Sequence, residues 1–394
     1  MKTNILKMIE QAEVAWKPLG EILVRTKGTK ITAGQMKELH KENAPIKIFA
    51  GGKTFALVDF DDIPQKDINN EPSIIVKSRG IIEFEFYDKP FSHKNEMWSY
   101  HSQNENIETK FVYYFLKQNE LHFQKIGSKM QMPQIATPDT DKFLIPIPPI
   151  ELQKEIVKRL DILTELEATL EATLEAELTL RKKQYQYYRD FLLSENELAK
   201  VGFEWKRLGE VANVIDSLHQ TPEYSETGFS MIRVTDIKGG MINLENTLKV
   251  NKDIFIEFTK RYVPQKDDIV MSRVGSYGNV GIVPCNDLVC LGQNTVILSP
   301  TINKKYLYYT LDTQFTRNFI EKNVGGGNQK TLSIKAINMI PIPIPPLDTQ
   351  AKIVGILDKF DHLTSSITDG LPKEIELRRK QYEYYRELLL GFGM

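Results

Sequence analysis

The segment Trp16-Lys17-Pro18-Leu19-Gly20-Glu21-Ile22 returns 189 residues later as Trp205-Lys206-Arg207-Leu208-Gly209-Glu210-Val211. Pro148-Pro149-Ile150 returns as Pro345-Pro346-Leu347, at an offset of 197. Leu180 to Leu193 returns at that same offset as Leu377 to Leu390, with ten of fourteen positions identical. A chain that repeats its edges in one order is a tandem duplication, so its architecture must be built twice. The repeated unit reads globular part, proline-rich hinge, helix. The middles of the globular parts share little, and the second is eight residues longer. Ordinary drift after duplication is one reading of that divergence; two modules that recognise two different things is the other.

The interiors read as mixed structure. Runs such as Ser73-Ile74-Ile75-Val76, Gly80-Ile81-Ile82-Glu83-Phe84-Glu85-Phe86, Asp268-Ile269-Val270-Met271 and Gly281-Ile282-Val283 are short, apolar and bounded by turn residues, as strands are. Lys110–Leu121 and Lys304–Glu321 carry aromatics at helical spacing, one helix per module. The hinges Ile145–Pro149 and Ile340–Pro346 cannot be helical, because proline removes donors and forces its predecessor extended. From Glu151 to about Leu193 there is no Gly or Pro, and Ile156, Leu160, Leu163, Leu166 and Leu170 recur at helical spacing. At about 1.5 Å per residue this is a rod of about 60 Å, longer than a small core needs. The second copy, Leu347 to Leu390, is interrupted at Asp369-Gly370-Leu371-Pro372. The expected fold is α+β: two similar α+β domains separated by two long antiparallel helices with pseudo-twofold symmetry. The expected boundaries are 1–150, 151–194 for the central helix, 195–346, and 347–394 for the C-terminal helix.

The central helix contains a finer repeat: Leu166-Glu167-Ala168-Thr169, Leu170-Glu171-Ala172-Thr173, Leu174-Glu175-Ala176-Glu177. Period four is not the coiled-coil period, so the leucine stripe drifts about 40° around the helix per unit. The repeat is either a run of good helix formers or a length ruler that adds about 6 Å per unit.

The formal net charge of −1 hides a partition. Residues 151–180 carry eight acids and three bases, whereas 1–150 is +1 and 205–345 is +3. The globular parts are therefore mildly basic, which permits DNA contact through a few clustered cations. The N-terminal residues are too charged for a signal-peptide core, and no apolar run approaches the roughly 18 residues of a membrane span. Cys285 and Cys290 are the two cysteines, without companion ligands, and read as free thiols of a reducing cytoplasm.

Catalytic signatures are missing. There is no Asn-Pro-Pro-Phe/Tyr tetrapeptide of an amino-methyltransferase and no glycine-rich cofactor loop after a strand. Gly51-Gly52-Lys53-Thr54 imitates a phosphate loop, but Lys47 stands where its first glycine belongs. Glu108-Thr109-Lys110 imitates half a nuclease motif, and the six histidines are scattered. No catalytic residue, metal or cofactor is assigned.

The Trp-Lys-x-Leu-Gly-Glu openings, the hinges followed by Gln153 and Gln350, and the paired Arg-Lys-Lys-Gln-Tyr-x-Tyr-Tyr-Arg-type helices resemble specificity subunits of type I restriction-modification enzymes. The four-residue repeats resemble one branch of that family. The resemblance covers essentially the whole chain, although the third unit ends in Glu177 rather than Thr. It implies a non-catalytic cytoplasmic subunit that binds a split, asymmetric target in double-stranded DNA. Its helices would dock two methyltransferase subunits, and two restriction/translocase subunits would complete the nuclease. A scaffold whose modules bind proteins is the competing reading; a self-sufficient endonuclease or methyltransferase is disfavoured by the missing motifs.

Candidate DNA contacts are loops that combine basic, amide and small residues. In the second module these are Gly326, Gly327, Asn328, Gln329 and Lys330, together with Arg273, Ser276 and Tyr277. In the first they are Lys129 and Gln131, Lys77 and Arg79, and Lys53. Ser217, His219 and Thr221 lie in a loop that resembles one approaching DNA in the family. Tyr185, Tyr188 and Arg189, with their repeats Tyr382, Tyr385 and Arg386, are the expected docking surface for the methyltransferase subunits; some of them must pack the rods together.

Overall fold

Each hinge is a strand, and its partner is the repeated tryptophan segment. Ala15–Pro18 pairs antiparallel with Leu144–Ile147, with Trp16 opposite Pro146. Glu204–Arg207 pairs in the same way with Pro341–Ile344, with Trp205 opposite Pro343. Prolines are tolerated because each ribbon has only two strands and leaves an outer edge without ladder bonds. The ribbon continues as Leu19 N donates to Phe143 O at 2.9 Å and Leu208 N to Ile340 O at 2.8 Å. The two ends of each module, more than 120 residues apart in sequence, are thereby closed on themselves.

The computed structural model describes residues 5–128, 132–286, 288–327, 330–365 and 370–392. The chain divides into two compact units, residues 1–171 with 377–394, and residues 172–376. Both long helical segments of the repeat are shared between the units rather than forming domains of their own.

In the first unit a four-stranded sheet runs in the order Val24–Lys27, Trp98–His101, Ser73–Lys77, Glu83–Tyr87, all antiparallel. A three-stranded sheet places Ile46–Phe49 between Phe55–Val58 and Phe91–His93, the latter parallel to it. The second unit repeats both sheets. Its four strands are Ala212–Asp216, Thr295–Pro300, Ile269–Ser272 and Val280–Ile282, in that order. Its three are Leu248–Val250, Phe229–Ile232 and Val289–Leu291, with the last pair parallel. The same topology thus underlies interiors whose sequences no longer match.

Each module carries two helices where the aromatic spacing predicts one. Thr109–Gln118 and Glu120–Gly127 are separated at Asn119, whose side-chain amide turns back to Phe115 O at 2.8 Å. Lys304–Leu311 and Gln314–Asn323 are separated because the Thr313 hydroxyl accepts from Thr316 N at 3.2 Å and starts a new helix. Short polar side chains favour such caps over helix interiors.

Ile150–Leu192 is a single helix of 43 residues. In the first unit its buried Leu152, Ile156 and Leu160 join the module core, as do Leu389 and Leu390. In the second unit Leu193, with Ile353 and Leu357 of the helix Leu347–Ser365, does the same. Burial of side chains this size is worth about 1.5–3 kcal/mol each, which fixes the rods to the modules. A matched polar clasp adds register. Tyr114 and Lys110 bind Asp161 at 2.5 and 2.8 Å, and Tyr309 and Lys305 bind Asp358 at 2.6 and 2.7 Å. Gln153 and Gln350 donate to the hinge carbonyls of Pro148 and Pro345 at 2.7 and 2.9 Å, which explains glutamine after each hinge. The final helix, Leu371–Leu390, begins directly after Gly370, whose carbonyl accepts from Lys373 and Glu374; of the expected break at 369–372, Asp369 lies outside the described residues.

Along the four-residue repeat the drift of the leucine stripe is visible. Leu166 is 59% exposed, Leu170 is half-buried and Leu174 is 7% exposed.

Candidate nucleic-acid interface

In the second module three loops distant in sequence converge on Arg273. Its Nη1 donates to Asp216 Oδ1 at 2.7 Å and its Nε to Leu332 O at 3.1 Å. Its carbonyl accepts from Leu332 N at 2.8 Å. Asp216 also accepts from His219 Nε2 at 3.2 Å, at the start of the loop that contains Ser217 and Thr221. Gly325 and Thr331 exchange backbone hydrogen bonds at 3.1 and 2.7 Å, so the two ends of the glycine loop are paired beside Arg273. Gly326 takes φ +109°, a conformation that requires glycine. Gly327 and Lys330 are exposed between these ends; Asn328 and Gln329 lie outside the described residues.

Arg273 was expected to present its guanidinium to DNA, but two of its nitrogens are committed inside the module and its side chain is largely buried. It positions the three loops. Ser276 and His219 are exposed and Thr221 accepts from Gln293 at 3.1 Å. Ser217 is buried, with its hydroxyl unpartnered among the described residues. Tyr277 is half-buried, its hydroxyl donating to Glu321 at 3.0 Å.

The first module repeats the juxtaposition. Arg79 bridges to Gln134, Gly80 N donates to Pro133 O at 2.9 Å, and Ile135 N donates to Ser78 O at 3.0 Å. The loop at Arg79 therefore lies against the segment following Lys129 and Gln131, both of which are outside the described residues. Arg79 is exposed, and no ion pair engages it among the described residues. Lys77 is paired within the sheet. It is 7% exposed, and its ammonium is held by Glu83 at 2.6 Å and Glu85 at 2.8 Å. Burial opposes its charge, but these carboxylates outweigh burial and raise its pKa, so it stays a paired cation inside the sheet.

The apparent phosphate loop is a hairpin turn. Gly51–Lys53 joins two antiparallel strands, and Ala50 N donates to Thr54 O at 3.0 Å, with no helix following to present its N-terminus. Lys53 is exposed at its tip. Beside it Lys47 lies over the rings of Phe49, Phe55 and Tyr87 at 4.2, 5.1 and 5.2 Å, a cation–π seat that sequence reading missed. Glu108-Thr109-Lys110 is equally structural: Glu108 caps the helix and Lys110 pairs with Asp161. Also missed were Lys260 and Arg261, which line a cleft of about 530 Å³ together with Ser217, Leu218 and Gln220. Nothing in a sequence marks two cations forty residues from the loop they adjoin.

The repeated helix motif sorts into inward and outward residues. Tyr185 packs in the second module's core, where burial raises its pKa. Arg189, at 5% exposure, pairs with Asp312 and with Asp190 at 3.1 Å and lies over Tyr185 at 5.6 Å. An acid inside the chain thus holds this expected docking residue. Tyr382 shares a hydrogen bond with Thr164 at 3.0 Å, and Tyr188 stacks on Phe360 at 5.4 Å while keeping one side exposed. Tyr385 is exposed and Arg386 half-buried. Outward positions that the motif did not flag are Leu180, Tyr187 and Phe191, repeated in part as Leu377 and Tyr384, all exposed. Their 7- and 4-residue spacing keeps them on one helix face.

Among the described residues no group of three or more His, Cys, Asp or Glu side chains could hold a metal. No described helix is long and apolar enough to cross a membrane. Cys285 and Cys290 are unbridged. The chain is a duplicated α+β module carried on long helices, and in each copy loops distant in sequence are brought together.

Comparison with known proteins agrees. The family model described as type I restriction modification DNA specificity domain matches residues 13–180 and again 200–377. The chain is 31% identical over 402 residues to the type I restriction enzyme EcoR124I/EcoR124II specificity subunit of Escherichia coli, covering 98% of this chain and 96% of that one. It is 30% identical over 406 residues to S.HindORF215P of Haemophilus influenzae, covering 100% and 99%. A solved chain from work on complex assembly and conformational transition of the type I R-M system superposes with a TM-score of 0.64 at 16% identity, covering 96% and 98%, and so shares the fold. The chain belongs to the type I restriction-modification DNA specificity family.

Proposed function

We propose that this chain is the DNA-reading subunit of a cytoplasmic type I restriction-modification enzyme and has no catalytic centre of its own. Each module reads one half of a split target in double-stranded DNA, and the long helices hold two methyltransferase subunits, to which two restriction/translocase subunits are added. The observation that carries this reading is the pair of modules with one topology and different loops. In both, the loop after the third strand of the four-stranded sheet lies against the segment before the hinge. Among the described residues Arg79 and Lys330 are exposed cations of those paired loops; Lys53 is exposed elsewhere in the first module, and Ser276, His219, Thr221 and Gly327 are exposed in the second. The exposed residues of each helix taken by itself, Leu180, Tyr187, Tyr188 and Phe191 on one and Leu377, Tyr384 and Tyr385 on the other, support the docking role, because clustered large exposed apolar side chains mark an interface.

The test is the salt dependence of DNA binding by the chain assembled with its methyltransferase subunits. Each phosphate contact adds about 0.9 to the slope of log K against log salt. Lys330→Ala should weaken binding and reduce that slope by about one. A flat salt response would favour the protein-scaffold reading instead.

A further inference from the structure

The two arginines of the repeated helix motif are 197 residues apart and sit alike, yet among the described residues only one is bonded to an acid. Arg189 and Arg386 each lie 5.6 Å over the tyrosine one turn earlier, Tyr185 and Tyr382. Arg189 is neutralised by Asp312 and Asp190. Lys110 and Tyr114 match Lys305 and Tyr309 in their clasps, so the first module's position matching Asp312 is Lys117. Lys117 pairs with Glu120 at 2.8 Å. The residue matching Asp190 is Glu387, which is exposed.

Arg386 is left with its Nε buried and without a hydrogen-bond partner, and it makes no ion pair among the described residues. Glu167 is close enough to feel its charge but does not bond to it. The Glu167 carboxyl is held above its ordinary pKa, first by burial and then by Glu171, with Arg386 opposing. A desolvated guanidinium N–H without an acceptor is unfavourable in an isolated chain. The matched seat in the other module shows which acceptor suits this geometry: a carboxylate.

We infer that Arg386 receives a carboxylate side chain from a docked methyltransferase subunit, supplying from outside what Asp312 supplies to Arg189 from within. The inference rests on the docking reading above. It makes the two matched ends of the helices unequal. At one the charge pair belongs to the chain's own fold, and at the other it belongs to the interface.

The experiment compares wild type, Arg386→Gln, Arg386→Lys and Arg189→Gln, each assembled with the cognate methyltransferase subunit and diluted stepwise under native mass spectrometry. Arg386→Gln should release a methyltransferase subunit at a concentration about tenfold or more higher than wild type, with the melting temperature of the chain unchanged. Arg386→Lys should recover part of that affinity. Arg189→Gln should instead lower the melting temperature. Arg386→Gln complexes that dilute like wild type would overturn the inference, as would a loss of DNA affinity with assembly intact, which would make Arg386 a phosphate contact. A wild-type chain that holds no methyltransferase subunit would overturn the docking reading itself.

Discussion

His93 lies at the joint between the two sheets of the first module and is fully buried. Its Nδ1 reaches Lys94 O at 3.1 Å and its Nε2 reaches the Ser99 hydroxyl at 3.2 Å, a pairing that suits a neutral ring. Burial accordingly holds its pKa below the ordinary 6.5. In the unfolded chain the ring takes a proton below about pH 6.5, whereas the folded module resists it. Stability from this residue is therefore complete above about 6.5 and is lost as pH falls through the lower, folded value. Denaturant unfolding of the whole chain between pH 7.5 and 5.5 should show a decline that is shallower in His93→Gln. Parallel pH dependence in the two proteins would count against the burial argument.

The elements divide into those visible in the sequence and those hidden in it. The repeat, the α+β class, the long central helix and the break at Gly370 were all legible, because Gly, Pro and apolar periodicity act locally. The hinge strands were legible only as non-helical. Their pairing with Trp16 and Trp205 spans the entire module, and no local signal announces a partner so far away. The single helices expected at 110–121 and 304–321 split because Asn119 and Thr313 cap more favourably than they continue. For the candidate site, exposed Arg79 and Lys330 were legible as loop cations. Lys77, Arg189 and Arg273 are paired with acids, Glu83 and Glu85, Asp312, and Asp216, that meet them only in the fold, so no local signal announces those pairs.

The four-residue repeat carries its own prediction at this scale. One unit lengthens the helix by about 6 Å and turns it by about 400°, a net rotation near 40°. One base pair advances DNA by about 3.4 Å and turns it by about 34–36°. Length alone would allow one or two base pairs; rotation favours one, because a module must still face its groove. Deleting Leu170–Thr173 should shorten the unspecified spacer by one base pair and leave both half-sites intact. An unchanged spacer at full activity would mean that these residues only make a good helix.

At the scale of the whole molecule the account rests on independence of the two modules. Each has its own pair of sheets, its own core and its own two-stranded closure. The closures set natural graft points: residues 19–143 lie between the ribbon strands Ala15–Pro18 and Leu144–Ile147, so an exchange there leaves both strands and the helix junction in place. The decisive measurement is methylome sequencing of a host that expresses the full system with residues 19–143 replaced by those of another family member. The account predicts that one half of the methylated target changes while the other half and the spacer stay the same; a change in both halves would contradict it.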